Sequence, residues 1–283
     1  MRLFTFSGIS ATLAGLNKGT ALIHFANKVL ERWPSNHRPI YDPDISAVHF
    51  KSYVNFSKII SDLDGLVTFD GSDVLNREAE KVSGGYAQDI ADIIAEEDEQ
   101  MILVLAHSQG CNNFVHTFSK LYEEYPGLME GRVVRAALFD PKVGSMQVQN
   151  MIAHDKEQLM ELFFFQSECD LLDNQSILRQ KFIDVFPHGN HLWIKDLNHS
   201  TICQWDRFAL KKKMAVLDEY LLFKRSYRKR MIELQRERTK SGLGPKEIAA
   251  LASFVNRYPF MNDKPQEALL GFLAGKLPVR FKS

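Results

Sequence analysis

Residues 106–110 (Ala-His-Ser-Gln-Gly) place a serine between small neighbours where a strand is predicted to turn into a helix. A serine hydroxyl is a poor nucleophile at neutral pH, so it needs an imidazole base and an exposed position. A sharp strand-to-helix turn gives that exposure, and small flanking residues let the strained backbone pass close to its neighbours. The run before the turn, Met101–Ala106, is the clearest strand in the chain, apolar throughout as a buried parallel strand should be. The pattern therefore indicates that Ser108 is a nucleophile.

This turn resembles the nucleophile elbow of the α/β-hydrolases, with Ala106 in place of that family's first glycine. The resemblance covers about residues 1–204 and is closest to lipases and esterases. It implies an α/β fold with a mostly parallel sheet and flanking helices. It also implies a triad that follows the chain order serine, acid, histidine, each at the carboxyl end of a strand or in the loop beyond.

Three histidines compete for the role of general base in this resemblance. We take His199, in the run Leu197–Ser200, because it precedes a predicted helix as the corresponding histidine of lipase-like sequences often does. His191, in the run Gly189–Trp193, is the alternative base, since this run also looks like a strand-end histidine loop. His188 is the third candidate.

The acid of the triad also has three candidates. Asp170 follows the predicted strand Leu159–Gln166, which corresponds to the strand that usually supplies the acid, and we take it as the acid. Asp140 follows the strand before and is the alternative, because pancreatic-type lipases take their acid there. Asp173 is the third candidate.

The resemblance also implies an oxyanion hole built from backbone N–H groups. One donor would be the N–H of Gln109, directly after the nucleophile. The other would be the N–H of Ile9, because the first strand ends in Ser7–Ile9, where the family places a His-Gly-type loop. Ser7 stands in this chain where the family has its leading histidine.

Hydrophobic patterning supports an α/β fold, because apolar runs of strand length alternate with longer amphipathic stretches. The predicted strands are Leu3–Phe6, Ala47–Val54, Met101–Ala106, Val133–Phe139, Leu159–Gln166, Phe182–Phe186 and Leu192–Ile194. The predicted helices of the core are Gly19–Trp33, Glu78–Glu97 and about Cys111–Tyr122, with a loop at Asp62–Asp73.

From Trp205 the pattern changes to long helices, which divides the chain into a core, 1–204, and a basic helical extension, 205–283. The extension holds 18 Lys and Arg against 8 Asp and Glu, a net charge of +10 that the core balances with −10. Such asymmetry favours either an anionic membrane surface as partner or packing against the acidic core. Nucleic acid is disfavoured, because no aromatic residues are interleaved with the charges. The predicted helices of the extension are Phe208–Gln235, Glu247–Asn256 and Gln266–Ala274.

The three cysteines are odd in number and show no metal-ligand spacing, so we expect no metal and no cofactor. Each lies within four residues of a triad candidate, and we interpret them as small buried apolar residues: Cys111, Cys169 and Cys203. The chain shows no signal-peptide pattern and no uncharged apolar run of about 18 residues. We therefore predict a cytoplasmic protein, at most peripheral to a membrane.

The function that these patterns favour is hydrolysis of a carboxylic ester, with lipid esters among the candidate substrates. Ser108, activated by His199, would form an acyl-enzyme, and Asp170 would hold the imidazole in the correct tautomer. Two alternatives remain open. One is a thioesterase or acyltransferase on the same scaffold. The other is a non-catalytic binding protein that keeps the turn but has lost the triad.

Overall fold

In the described part of the chain, six strands form a single, fully parallel sheet. The computed structural model describes residues 1–7, 19–33, 37–41, 72–96, 100–167, 190–194 and 263–275. The strand order is β2-β1-β3-β4-β5-β6. The strands are β1 (Arg2–Phe6), β2 (Ile40–Tyr41), β3 (Met101–His107), β4 (Val133–Phe139), β5 (Met160–Ser167) and β6 (Asn190–Ile194).

Helices cover both faces of this sheet, so the strands are buried on two sides and can be apolar along their length. The helices are α1 (Gly19–Glu31), α2 (Ser72–Ala95), α3 (Gln109–Glu124), α4 (Pro126–Met129), α5 (Ser145–His154) and α6 (Asp263–Leu273). Successive residues of each strand point to opposite faces. One face packs against α1 and α6, and the other packs against α2, α3 and α5.

The central strand β3 shows why the sheet has this order. Ile102–Ala106 are fully buried, with alternate side chains contributing to the two cores. The chain leaves β1 through α1 on one face and leaves the neighbouring β3 through α3 on the other. A parallel sheet opens a crevice at its carboxyl edge where successive connections change face. In this protein that crevice lies between the ends of β1 and β3.

The last described helix, α6, belongs to the core although it comes from the basic extension. Leu269 and Leu273 are fully buried, and the ring of Phe272 lies edge-on to Phe163 of β5, with centroids 5.2 Å apart. The guanidinium of Arg135 on β4 donates to the carbonyl oxygen of Leu273 (3.4 Å), at the negative end of the α6 dipole. Residues beyond 204 therefore complete one face of the sheet.

The predicted α/β fold with a parallel sheet is confirmed, and most boundaries shift by only one or two residues. Helix α2 is a correction, because it starts at Ser72 and so takes in the end of the predicted loop Asp62–Asp73. The two-residue strand β2 and helix α5 were not predicted. Four predicted elements lie outside the described residues: Ala47–Val54, Phe182–Phe186, Phe208–Gln235 and Glu247–Asn256.

The contact between Arg135 and the end of α6 can be tested at Gly275. This glycine has φ +69°, and a Cβ there would lie 2.7 Å from a guanidinium nitrogen of Arg135. Gly131 is a matched control, because its φ is also +69° but a Cβ would meet nothing within 4 Å. We expect Gly131→Ala to lower the free energy of unfolding by about 1 kcal/mol, from backbone strain alone. Gly275→Ala should cost about 1 kcal/mol more, because the Arg135 hydrogen bond is also lost.

Urea denaturation of the two variants measures this difference. Equal losses would show that the bond from Arg135 to α6 does not contribute to the stability of the core.

Candidate functional site

Ser108 occupies a one-residue turn between the central strand and the helix that follows it. Strand β3 ends at His107 and helix α3 begins at Gln109. The backbone of Ser108 has φ 57° and ψ −124°, a conformation that residues other than glycine rarely adopt. Such a backbone costs on the order of 1–3 kcal/mol and persists only where the surrounding structure imposes it.

Three backbone hydrogen bonds hold Ser108 in this conformation. Its N–H donates to the carbonyl oxygen of Phe139 at the end of β4 (3.0 Å). Its carbonyl oxygen accepts from the N–H of Cys111 (3.0 Å) and from the N–H of Lys142 (3.2 Å). At about 1 kcal/mol each, these bonds together offset a strain of this size.

Gly110 lets helix α3 pack directly on the end of β1. A Cβ at this position would lie 1.9 Å from the carbonyl oxygen of Phe6 and 2.8 Å from that of Ser7, both backbone atoms. No side chain can therefore replace this glycine without moving α3 away from the sheet. This close approach is the physical reason for the small residue two positions after the serine.

The aromatic ring of Phe6, at the end of β1, supports the turn by packing against helices α2 and α3. It makes edge contacts with Phe114 and Phe118 of α3, at centroid distances of 6.0 and 6.5 Å. It also contacts Tyr86 of α2 at 6.3 Å. These fully buried rings fix the start of α3 relative to β1, and so fix the position of Ser108 at the carboxyl edge.

The start of α3 is suited to stabilising a negative charge beside Ser108. Gln109 is the first residue of a 16-residue helix, and N–H groups of a first turn have no acceptor within the helix. The first turn carries no acidic side chain that would neutralise the positive end of the dipole. The N–H of Gln109, the predicted first oxyanion donor, lies at this end of the helix.

Asp140, the alternative acid, lies at the end of β4, directly beside the Ser108 turn. It is 4% exposed, and its N–H donates to the carbonyl oxygen of Phe165 on β5 (2.8 Å). Its φ of 41° is left-handed, which aspartate tolerates better than most residues. The structure therefore brings Ser108 and this candidate acid to adjacent strand ends.

Cys111 forms part of the buried wall behind the turn. Its Sγ lies 3.9 Å from the carbonyl oxygen of Phe139. Burial raises the pKa of the thiol well above its usual range, and the nearby charge of Asp140 raises it further. A buried, protonated thiol is chemically inert, as expected of a small apolar residue.

His191, the alternative base, lies inside β6 and not in a loop after it. It is in register with Phe164 of β5, and the two rings stack with centroids 4.9 Å apart. Strand β6 is three strands away from β3, a separation of roughly 14 Å. At this distance the imidazole cannot make the direct hydrogen bond that a base needs with the hydroxyl of Ser108.

The remaining predicted site residues lie outside the described residues, and these are Ile9, Asp170, Asp173, His188 and His199, with Cys169 and Cys203. The strand ends that precede two of them are described. Strand β5 ends at Ser167, three residues before Asp170, and β6 ends at Ile194, five residues before His199. Because the sheet is parallel, both strands end at the same edge as β3.

One contributor to the site was missed by sequence reasoning, the turn of residues 140–142. The sequence points to Asp140 only as an acid, and it gives no sign of a role for Lys142. The available signal was the dipeptide Asp140-Pro141 after an apolar strand, which is typical of a turn. That signal predicts a turn but not the hydrogen bond from the N–H of Lys142 to the carbonyl oxygen of Ser108.

Comparison of the chain with protein-family models, with curated proteins and with solved structures gives no match. Within the stretches that the structure describes, no three His, Cys, Asp or Glu side chains are grouped so that they could hold a metal ion. No helix in these stretches has the length and apolar character needed to cross a membrane. The function therefore has to be inferred from the geometry around Ser108.

The strain at Ser108 predicts an unusual order of stability among substitutions. Ser108→Gly should unfold with a free energy about 1 kcal/mol higher than Ser108→Ala, because glycine adopts this backbone without strain. Ser83, a buried serine inside α2, is the matched control. There the order should reverse, with Ser83→Gly about 1 kcal/mol less stable than Ser83→Ala.

Chemical denaturation of the four variants tests this. If glycine is the less stable replacement at both positions, Ser108 is not strained.

Proposed function

We propose that the protein is a serine hydrolase of the α/β-hydrolase type, which cleaves carboxylic esters through an acyl-enzyme on Ser108. The observation that carries the proposal is the left-handed backbone of Ser108, in a one-residue turn from the central strand to α3. This turn lies at the carboxyl edge, at the crevice where an α/β sheet binds ligands. A strained backbone that the surrounding structure holds in place, at such a crevice, is grounds for inferring a function.

The geometry argues against a purely structural role for this serine. A serine that caps a helix has an extended backbone, and its hydroxyl accepts a hydrogen bond from an N–H of the first turn. Ser108 precedes α3 but has a left-handed backbone and makes no such capping bond. Helix capping therefore does not account for this serine, which supports its assignment as a nucleophile.

In the proposed mechanism, His199 removes the hydroxyl proton as Ser108 Oγ attacks the ester carbonyl carbon. The oxyanion accepts hydrogen bonds from the N–H groups of Gln109 and Ile9. Collapse of the tetrahedral intermediate breaks the ester C–O bond, and the leaving alkoxide takes the proton from His199. Water, losing a proton to the same base, then attacks the acyl-enzyme. The bond between the acyl carbon and Ser108 Oγ breaks, Oγ takes the proton back, and the carboxylic acid leaves.

His199 is preferred to His191 because His191 lies within β6, stacked on Phe164. The acid that orients His199 is Asp170 in this proposal, with Asp140 as its alternative. The burial of Asp140 beside the turn supports that alternative.

Lipid esters are the substrates that the basic extension favours. Residues 207–246 hold 13 Lys and Arg against 4 Asp and Glu, a composition that an anionic lipid surface would attract. These residues lie outside the described part of the chain, whereas the described helix α6 faces the core.

The proposal predicts that hydrolysis of p-nitrophenyl esters depends on the hydroxyl of Ser108. Ser108→Ala should lower kcat/KM by about 10⁴-fold or more, and His199→Gln should cost nearly as much, because triad members act as a unit. Ser83→Ala removes a buried hydroxyl from α2 and should leave the rate within about twofold of the parent, since that hydroxyl donates to the carbonyl oxygen of Glu80 within its own helix.

Substantial turnover by Ser108→Ala would refute the proposal. A parent chain without turnover would support the binding-protein alternative, and preferential transfer of the acyl group to an added alcohol or thiol would support an acyltransferase.

The same assay separates the two candidate acids. Asp170→Asn should lower kcat by orders of magnitude, because the imidazole then adopts the wrong tautomer. Asp140→Asn should have the smaller effect, since asparagine also tolerates the left-handed backbone at this position. Asp140→Gly is the control for backbone strain. If Asp140→Asn and Asp140→Gly both fold but lose more activity than Asp170→Asn, the acid is Asp140.

A further inference from the structure

The turn of residues 140–142, which we call the clamp turn, contacts the nucleophile through its backbone. We infer that the clamp turn is a positioning element, in which the N–H of Lys142 orients the peptide group that carries the oxyanion donor. This inference rests on the proposed function and assigns a role to a residue outside the triad.

The end of β4 and the turn that follows it hold Ser108 from both sides of its backbone. The carbonyl oxygen of Phe139 accepts from the N–H of Ser108 (3.0 Å), and the N–H of Lys142 donates to the carbonyl oxygen of Ser108 (3.2 Å). The chain between these two bonds is Asp140-Pro141. The left-handed backbone of Asp140 turns the chain back, and its N–H is anchored on Phe165 of β5 (2.8 Å).

The bond from Lys142 differs from the other two bonds of Ser108. The bond to Phe139 continues the parallel ladder of β3 and β4, and the bond from Cys111 is a local bond of the first turn of α3. Only the Lys142 bond, among these three, comes from outside regular secondary structure. It is therefore the bond that a different turn after β4 would remove while β3 and α3 stay intact.

The consequence concerns a single peptide group. The carbonyl of Ser108 and the N–H of Gln109 belong to the same planar, trans peptide, so they point in opposite directions. By fixing the carbonyl, Lys142 also fixes the direction of the Gln109 N–H, the proposed oxyanion donor. A hydrogen bond accepted by the carbonyl further polarises the N–H of that peptide. Because the oxyanion develops only in the transition state, this effect should appear in the rate of reaction and not in substrate binding.

The test is the rate of inactivation by a fluorophosphonate, measured over a range of probe concentrations. This separates the binding constant KI from the rate constant kinact. Lys142→Pro, which removes the N–H, should lower kinact by on the order of tenfold or more, with KI within about twofold of the parent. Lys142→Ala keeps the N–H and should restore kinact relative to the proline variant.

Lys156→Pro is the matched control, because the N–H of Lys156 donates to His154 (3.0 Å) in a turn after α5. It should lower the melting temperature comparably without lowering kinact. If Lys142→Pro does not fold, replacing the peptide bond between Pro141 and Lys142 with an ester removes the same N–H without the proline ring.

Three outcomes would overturn the inference. Unchanged kinact in the folded proline or ester variant would show that the N–H does not position the donor. An equal loss in Lys142→Ala would assign the effect to the ammonium group instead. No inactivation of the parent chain would refute the proposed function as well, which distinguishes that failure from the other two.

Discussion

The left-handed backbone of Ser108 is the constraint on which the rest of the site depends. A conformation that costs on the order of 1–3 kcal/mol must be imposed by its neighbours. Gly110 imposes it from one side, because α3 starts in contact with the backbone of Phe6. Phe139 and Lys142 impose it from the other side through hydrogen bonds. The turn therefore holds its hydroxyl at the carboxyl edge only while β1, β3 and β4 keep their present order.

That order in turn depends on burial of both faces of the sheet. The rings of Phe163 and Phe165 stack at 4.2 Å on the face covered by α6, and Phe6 packs under α3 on the other face. Arg135 bonds the end of α6 from within β4, so the basic extension contributes directly to the strands that carry the site. A parallel sheet buries its strands on both faces. Helix α6, although late in the chain, is therefore needed to cover β4 and β5 on one of these faces.

The sequence allowed the elements nearest Ser108 to be predicted almost to the residue. Strand Val133–Phe139 was predicted with its observed limits, and the strand before Ser108 is one residue longer than expected. These strands are predictable because a long, continuous apolar run is typical of a strand that is buried on both faces of a parallel sheet. Strand β2 was missed because two residues carry no periodicity. Helix α5 was missed because its Gln, Asn and Met residues give only a weak amphipathic pattern.

The candidate site was predictable where side-chain type carries the signal and not where backbone geometry does. Small residues around Ser108 predicted the turn, and the close approach of Gly110 to Phe6 explains why. The run Gly189–Trp193 resembles a loop at the end of a strand. In the structure, parallel pairing with β5 places His191 within β6. The bond from Lys142 has no sequence signature, because every residue other than proline offers the same N–H.

The most direct measurement of the central claim is to map the covalent adduct of a fluorophosphonate on the parent chain by mass spectrometry of its peptides. An activated serine reacts with this probe and an ordinary serine does not. We predict one probe per chain, attached to Ser108. An unmodified Ser108, or a probe attached to another serine under conditions where the chain is folded, would contradict the assignment of Ser108 as the nucleophile.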